Sequence, residues 1–280
     1  MIFTRQGEQV GDWAPARAVR AKLVRMYDMD TRRRALALVS QGRSLNSVSQ
    51  ETGISRYALR DWQTRIEPLT RARPTDCPRC DDLTLDEAAY AYLLGLYLGD
   101  GCISPQPRGG HQLRIACADA WPGLIEACHS AILAVRPSLR AYSLQRKGCV
   151  MVTSYGRHWP CLFPQHGPGR KHDRAIVLEP WQQRIVDARP WEFLRGLIHS
   201  DGCRITNWAT RLVGGERKRY EYPRYFFTNR SEDILKLCTD TFDKVGVQWK
   251  VTRRGGSPAN VSVARRASVA LMDQYIGPKY

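Results

Sequence analysis

The chain has 280 residues, 43% of them hydrophobic and 9% aromatic, enough apolar side chain for one large core or two to three smaller ones, which excludes a globally disordered chain. Lys and Arg number 43 against 27 Asp and Glu, a formal charge of +16, so a polyanion is the first expected partner and an anionic membrane surface the second. No apolar run reaches the roughly 18 residues of a membrane span, and residues 1–10 lack the apolar stretch of a secretory signal, so a cytoplasmic protein is expected. The nine cysteines are odd in number and without a framework spacing, and are expected to be reduced thiols.

Arg outnumbers Lys 35 to 8; a planar guanidinium suits phosphate oxygens and guanine edges, although a base-composition bias of the genome explains the ratio equally well. Divided at Thr75 and Gly202, the chain carries 14 basic and 7 acidic residues, then 14 and 13, then 15 and 7. Two basic outer segments around a near-neutral middle suggest two separate anion-binding surfaces. Residues 70–82, with Pro74, Pro78 and no apolar periodicity, read as part of a linker. The expected organisation is a leader over residues 1–27, a small helical domain over 28–68, a linker over 69–83, and two repeats over 84–190 and 191–280.

From Thr31 the apolar residues Leu36 and Val39, then Leu45 and Val48, then Ile54, Tyr57, Leu59 and Trp62 mark three short helices, separated at Gly42 and Gly53. Gly42 ends the first helix with positive φ, Gly53 makes the turn before the third, and Ser55 is placed to cap it. The stretch VSQETGISRYALRDW resembles the helix-turn-helix of homeodomain-like transposase, resolvase and regulator domains. That resemblance implies a third helix in a DNA major groove, with Ser55, Arg56, Tyr57 and Arg60 towards the bases and Arg32, Arg33 and Arg34 on phosphates. The bland alternative is a small bundle for protein contacts.

Two segments repeat one another, YLLGLYLGDGCIS ending at Ser104 and FLRGLIHSDGCRI ending at Ile205. Each is a hydrophobic helix with small residues four apart, Gly95 with Gly99 and Gly196 with Ser200, followed by Asp, Gly and Cys. If the helices pack along those small residues, Asp100 and Asp201 emerge side by side at two helix C-termini, where each macrodipole is negative. Folding alone does not favour that, whereas shared divalent cations relieve it. Gly101 and Gly202 are expected to leave the helices in a left-handed conformation and to offer backbone carbonyls to the metal.

The cores LLGLYLGDG and LRGLIHSDG resemble the LAGLIDADG motifs of homing endonucleases, in the two-repeat, single-chain form, and the pattern after each resembles that family's αββαββα repeat. The first copy continues with QLRIAC, a helix near residues 123–135, and a hairpin of AYSLQR and CVMVTSY. The second continues with ITNWATRLV, a Gly214–Gly215 turn, YPRYFFTN, a helix over residues 232–245, VQWKVTR, a Gly255–Gly256 turn, NVSVAR and a last helix. The resemblance implies an α+β saddle of two pseudo-twofold repeats and Mg²⁺-dependent hydrolysis of phosphodiesters in double-stranded DNA, with Mn²⁺ able to substitute. It also implies Asp100 and Asp201 as catalytic metal ligands, and base readers on the second sheet at Arg204, Thr206, Arg224, Asn229, Arg230, Lys250, Arg253 and Arg254. Arg204 and Asn229–Arg230 are expected to face the catalytic centre, while the first repeat offers only Cys117 and Ala118 there. A monomer on DNA is expected, although a helix-turn-helix often works as a dimer. The competing reading is a sequence-specific regulator on the same scaffold that has lost cleavage.

Cys77 and Cys80 have zinc-knuckle spacing, but four ligands are required and no second CxxC or HxxxH follows nearby, so chance is the expectation. Residues 166–174 are basic and glycine-containing without the ending of a P-loop, and read as a connector with Arg170 and Lys171 available to phosphate. His199 reads as a satisfied interface histidine.

Overall fold

The computed structural model describes residues 27–67, 75–252 and 259–280. The chain divides into two compact units, Met1–Ala72 and Arg73–Tyr280. The expected leader, apart from Tyr27, lies outside the described residues, as do Arg253, Arg254 and the Gly255–Gly256 turn.

In the first unit, helices α1 (Met29–Ser40), α2 (Leu45–Thr52) and α3 (Arg56–Thr64) are each capped by the side chain before them. Asp28, Ser44 and Ser55 accept from the amides of Thr31, Ser47 and Ala58, caps worth about 1 kcal/mol each. Gly53 closes α2 at φ +69°, the left-handed region that favours glycine. Ala35, Val48, Ile54, Leu59 and Trp62 form the small core, with the Tyr27 ring edge-on to Trp62 at 5.2 Å.

The second unit is α+β. Its first repeat runs α4 (Glu87–Asp100), β1 (Gly101–Gln106), β2 (Gly110–Ala118), α5 (Pro122–Val135), β3 (Ala141–Arg146), β4 (Cys149–Gly156), the short α6 (Trp159–Leu162) and α7 (Pro180–Ala188). The second runs α8 (Pro190–Asp201), β5 (Gly202–Val213), β6 (Glu216–Asn229), α9 (Glu232–Lys244), β7 (Lys250–Thr252), β8 (Ala259–Val263) and α10 (Arg266–Tyr275). Each repeat holds an antiparallel four-stranded sheet of one order, β1-β2-β4-β3 and β5-β6-β8-β7. The αββαββα duplication is therefore a duplication of structure.

Tyr90 to Leu98 of α4 are all buried, which is why this helix is apolar all round instead of amphipathic. Asp86 starts it by accepting from the Ala89 amide at 2.9 Å. Alternate strand residues enter the core: Leu113, Ile115, Cys117, Val150 and Val152 in the first sheet, and Tyr225, Phe227, Val261 and Val263 in the second. The strand expected from Val247 begins only at Lys250, because Val247 turns back on α9, donating to Phe242 O at 2.9 Å, and is buried. Cys77 and Pro78, in the segment expected as linker, are buried, and Arg136 donates to Thr75 O at 3.2 Å. The ordered body of the second unit thus starts several residues before α4.

Candidate active site

Helices α4 and α8 meet main chain to main chain. A Cβ on Gly95 would come within 2.5 Å of Phe193 O and 2.7 Å of Leu197 N, and one on Gly196 would stand 2.9 Å from Gly95 Cα and overlap Tyr92 O. One turn on, a Cβ on Gly99 would collide with the Ser200 side chain and reach 3.1 Å from Asp201 Oδ2. The small residues are therefore a steric requirement of the helix pair. Asp100 and Asp201 are the last residues of the two helices, so each carboxylate stands at the negative end of a helix dipole.

Burial of the helix end and the nearby Asp201 push Asp100 up to about 6, against the attraction of Lys279 and Lys171, even though its side chain keeps contact with solvent. Burial also raises Asp201, while Asn229, Lys171 and Lys279 act the other way; Asn229 Nδ2 donates to Asp201 Oδ2 at 2.6 Å. Asn229, the last residue of β6, thus lies beside Asp201.

Two ammonium groups that the motifs do not announce complete the cluster. Lys171 Nζ donates to the carbonyls of Tyr97, Gly99 and Gly101 at 2.5, 2.7 and 2.8 Å, taking up acceptors that the end of α4 leaves unpaired. Burial lowers its pKa to about 8, with Asp201 and Asp100 opposing. Lys279 Nζ donates to Ser200 O at 2.9 Å at the end of α8, and burial lowers its pKa too, again against both acids. A compact ammonium can gather three converging carbonyls, which a planar guanidinium cannot. In a chain with 8 Lys among 43 cations, lysine at these two places is the one sequence signal that points to them.

The glycines after the acids behave differently from expectation. Gly101 (φ −92°, ψ 154°) and Gly202 (φ −106°, ψ 172°) are extended, not left-handed. They are needed for space: a Cβ would lie 2.5 Å from Tyr97 Cα in one case and 2.7 Å from Ile198 Cα in the other. The Gly101 carbonyl, expected on a metal, accepts from Lys171.

His199 is fully enclosed between the helices, with Nδ1 2.9 Å from Tyr92 OH. Burial, with Arg195 and Lys279 nearby, lowers its pKa to about 4, so it is a neutral interface residue. Beside Asp201 opens a cleft of about 740 Å³ bordered by Arg170, Lys171, Arg174, Asn229 and Arg230, a cationic approach suited to a phosphate backbone.

Strand parity sorts the expected base readers. Arg204 pairs with Tyr225 across β5 and β6, on the face that packs against helices; it grips Asp273 of α10 at 2.6 and 2.9 Å, and Tyr225 OH donates to the same carboxylate at 2.6 Å. Arg204 is thus held away from the acids, correcting the expectation from its position after Asp201, and Thr206 shares its strand face. Arg224 lies on the opposite face, which carries no helix, along with Asn207, Tyr222 and Lys250. Arg114, Gln112 and Thr153 take the equivalent face of the first sheet, where uncharged polar groups dominate.

In the first unit Arg33, Arg34, Arg56 and Arg60 are exposed, and Tyr57 is 83% exposed. Ser55 spends its oxygen on the α3 cap. Arg32 is already engaged, donating to Ile66 O at 2.9 Å and Tyr27 O at 3.1 Å with its guanidinium 5.0 Å from the Trp62 ring centre. It holds the bundle together, a correction to its expected place on phosphate.

Two αββαββα repeats joined through paired helices that end in acids make the second unit similar in architecture to LAGLIDADG proteins. Among solved structures, the chain is similar to I-DmoI in complex with DNA and Mn, at 12% identity and a TM-score of 0.47 over 69% of this chain and 98% of that one. It is also similar to the N-terminal LAGLIDADG domain of DUF199/WhiA, at 12% and 0.42 over 69% and 83%. A third likeness is to the LAGLIDADG meganuclease I-AabMI bound to uncleaved DNA, at 15% and 0.43 over 66% and 83%. No family model and no curated protein matches the chain.

Proposed function

We propose that this chain binds double-stranded DNA and hydrolyses its phosphodiesters with the aid of divalent cations. The observation that carries the reading is the pair of like-charged acids brought together by two main-chain notches, with Asp100 raised to about 6. An assembly that costs ionisation energy and adds nothing to packing is what a site, not a core, requires.

The residues fit Mg²⁺ or Mn²⁺ in kind. Asp100 and Asp201 offer hard carboxylate oxygens, and cationic charge between them lowers the energy of both anions. When bound, such a cation activates water and stabilises charge on phosphoryl oxygens. Asn229 holds the Asp201 carboxylate in one orientation. Lys171 and Lys279 keep positive charge at the two helix ends, and Arg170, Arg174 and Arg230 border the cleft through which a phosphate backbone would pass. The open face of the second sheet, with Arg224, Lys250 and Asn207, would lie on bases and phosphates, and the exposed arginines of α1 and α3 would give a second DNA contact of helix-turn-helix type.

One observation favours a second reading, a DNA-binding protein without cleavage: Lys171 already occupies the Gly101 carbonyl, so two ammoniums answer two carboxylates without any metal. A supercoiled-plasmid library incubated with Mg²⁺ or Mn²⁺ separates the two. Nicking or cutting at a defined site, abolished by Asp201→Asn with affinity in Ca²⁺ nearly unchanged, supports the nuclease. Specific binding with no strand broken at any site supports the second reading.

A further inference from the structure

The sequence pair Cys77 and Cys80 does not stand alone in space. Residues 75–83 lead into α4, and the turn after β4 carries His158 and, within α6, Cys161. The ligand atoms of Cys77, Cys80, His158 and Cys161 all lie within 4.8 Å of one another. Cys80 Sγ is 3.4 Å from His158 Nδ1 and 3.6 Å from Cys161 Sγ, and Cys161 Sγ is 3.6 Å from His158 Nδ1. Bond lengths of about 2.3 Å to sulfur and about 2.05 Å to nitrogen at tetrahedral angles require edges of about 3.8 Å between sulfurs and about 3.5 Å between sulfur and nitrogen. The three measured edges agree with that figure to about 0.2 Å.

We propose that Cys77, Cys80, His158 and Cys161 form a structural zinc site, closed by four ligands from this chain. The second ligand pair is His158-x-x-Cys161, which is why a search for a repeated CxxC does not find it.

Both halves are positioned before any metal arrives. Cys77 accepts the start of a tight turn, its carbonyl taking the amides of Cys80 and Asp81 at 3.0 and 2.9 Å. Cys77 is fully buried, and its own amide donates to Thr75 Oγ1 at 3.3 Å. Asp81 ties the turn further by accepting from Thr75 Oγ1 at 2.9 Å. On the other side Trp159, between the two ligands, is fully buried, and the Arg136 guanidinium bridges the pair of segments, donating to Thr75 O while lying 5.9 Å from the Trp159 ring centre. With no ligand position left for water, such a site fixes structure and does not catalyse. It closes the first repeat on itself, linking the chain just ahead of α4 to the turn behind β4, and zinc binding free energy thereby becomes folding free energy.

A disulfide between Cys80 and Cys161 is the rival arrangement. It would need their sulfurs at about 2.05 Å and would leave Cys77 and His158 without a role. The test uses the full chain, purified with reductant and loaded with Zn²⁺ or Co²⁺. The expected result is about one zinc per chain by elemental analysis, retained through a chelating column, and for the cobalt form the ligand-field and thiolate charge-transfer bands of a tetrahedral sulfur-rich site. Cys161→Ser should release the metal to the chelator, whereas Cys149→Ser, on the β3–β4 hairpin, should retain it. Wild-type protein that is folded by circular dichroism yet shows no such cobalt spectrum overturns the proposal even if the serine variants fail to fold. So does recovery of a Cys80–Cys161 disulfide from metal-loaded, reduced protein.

Discussion

His199 makes the helix pair sensitive to acid. Its imidazole is 1% exposed, bonded at Nδ1 to Tyr92 OH, and held neutral with a pKa lowered to about 4 from 6.5 by burial and by Arg195 and Lys279. A base whose folded pKa is depressed takes up more protons unfolded than folded between those two values, so stability is full above about pH 6.5 and falls as the pH drops towards 4. The shift of about 2.5 units corresponds to about 3 kcal/mol. Asp100, raised to about 6, acts with the opposite sign, its contribution being lost as pH rises through 6; it is partly exposed and its effect is smaller than the shift implies. Replacing His199 with Gln keeps a polar atom near Tyr92 and removes the titration, while Asp100 is common to both proteins and cancels in the difference. Urea unfolding at a series of pH values between about 7.5 and 4.5 should therefore show wild type losing most of that, about 2 to 3 kcal/mol, relative to His199→Gln. Parallel stability curves for the two proteins would refute the assignment of a buried, neutral His199.

Other substitutions probe the same region from different sides. Gly196→Ala places a methyl group on Tyr92 O and against Gly95 Cα, and should cost at least about 3 kcal/mol in urea unfolding; a neutral outcome would mean that the helices do not touch. Lys171→Met leaves the carbonyls of Tyr97, Gly99 and Gly101 without their ammonium and should destabilise by about 2 kcal/mol, with Lys171→Arg failing to restore it and the midpoint of denaturation as the readout. Removing residues 1–72 should weaken DNA binding and flatten its dependence on salt, because exposed Arg33, Arg34, Arg56 and Arg60 would no longer displace counterions; an unchanged slope would show that the first unit does not touch DNA.

The helix pair was legible because its determinants are local: Gly95, Gly99, Gly196 and Ser200 recur at helical spacing, and Asp100 and Asp201 follow at once. Strand positions were legible for a similar reason, since alternation such as Leu113, Ile115 and Cys117 marks a buried face. What escaped depends on contacts between residues distant in sequence and lacking any period. Lys171 comes from a connector and Lys279 from the stretch after α10, and neither belongs to a motif. For Arg204, proximity to Asp201 along the chain says nothing about which side of β5 it leaves, and its partner Asp273 is 69 residues on. The His158 and Cys161 partners of Cys80 lie 78 and 81 residues away, beyond the reach of a spacing rule. At Gly101 and Gly202 glycine is required by crowding against the preceding turn and not by a left-handed φ, a distinction that needs the packed helices to be seen.

Because α4 and α8 touch through peptide backbone, the gap between their terminal carboxylates behaves as a ruler made of main chain, nearly indifferent to which side chains surround it. Side chains on the outer surfaces of both sheets can then be exchanged without altering the spacing of the two acids. Under the proposed function, recognition on the sheets and chemistry at the centre would be separable by substitution, with Gly95 and Gly196 the positions that have no room for a side chain.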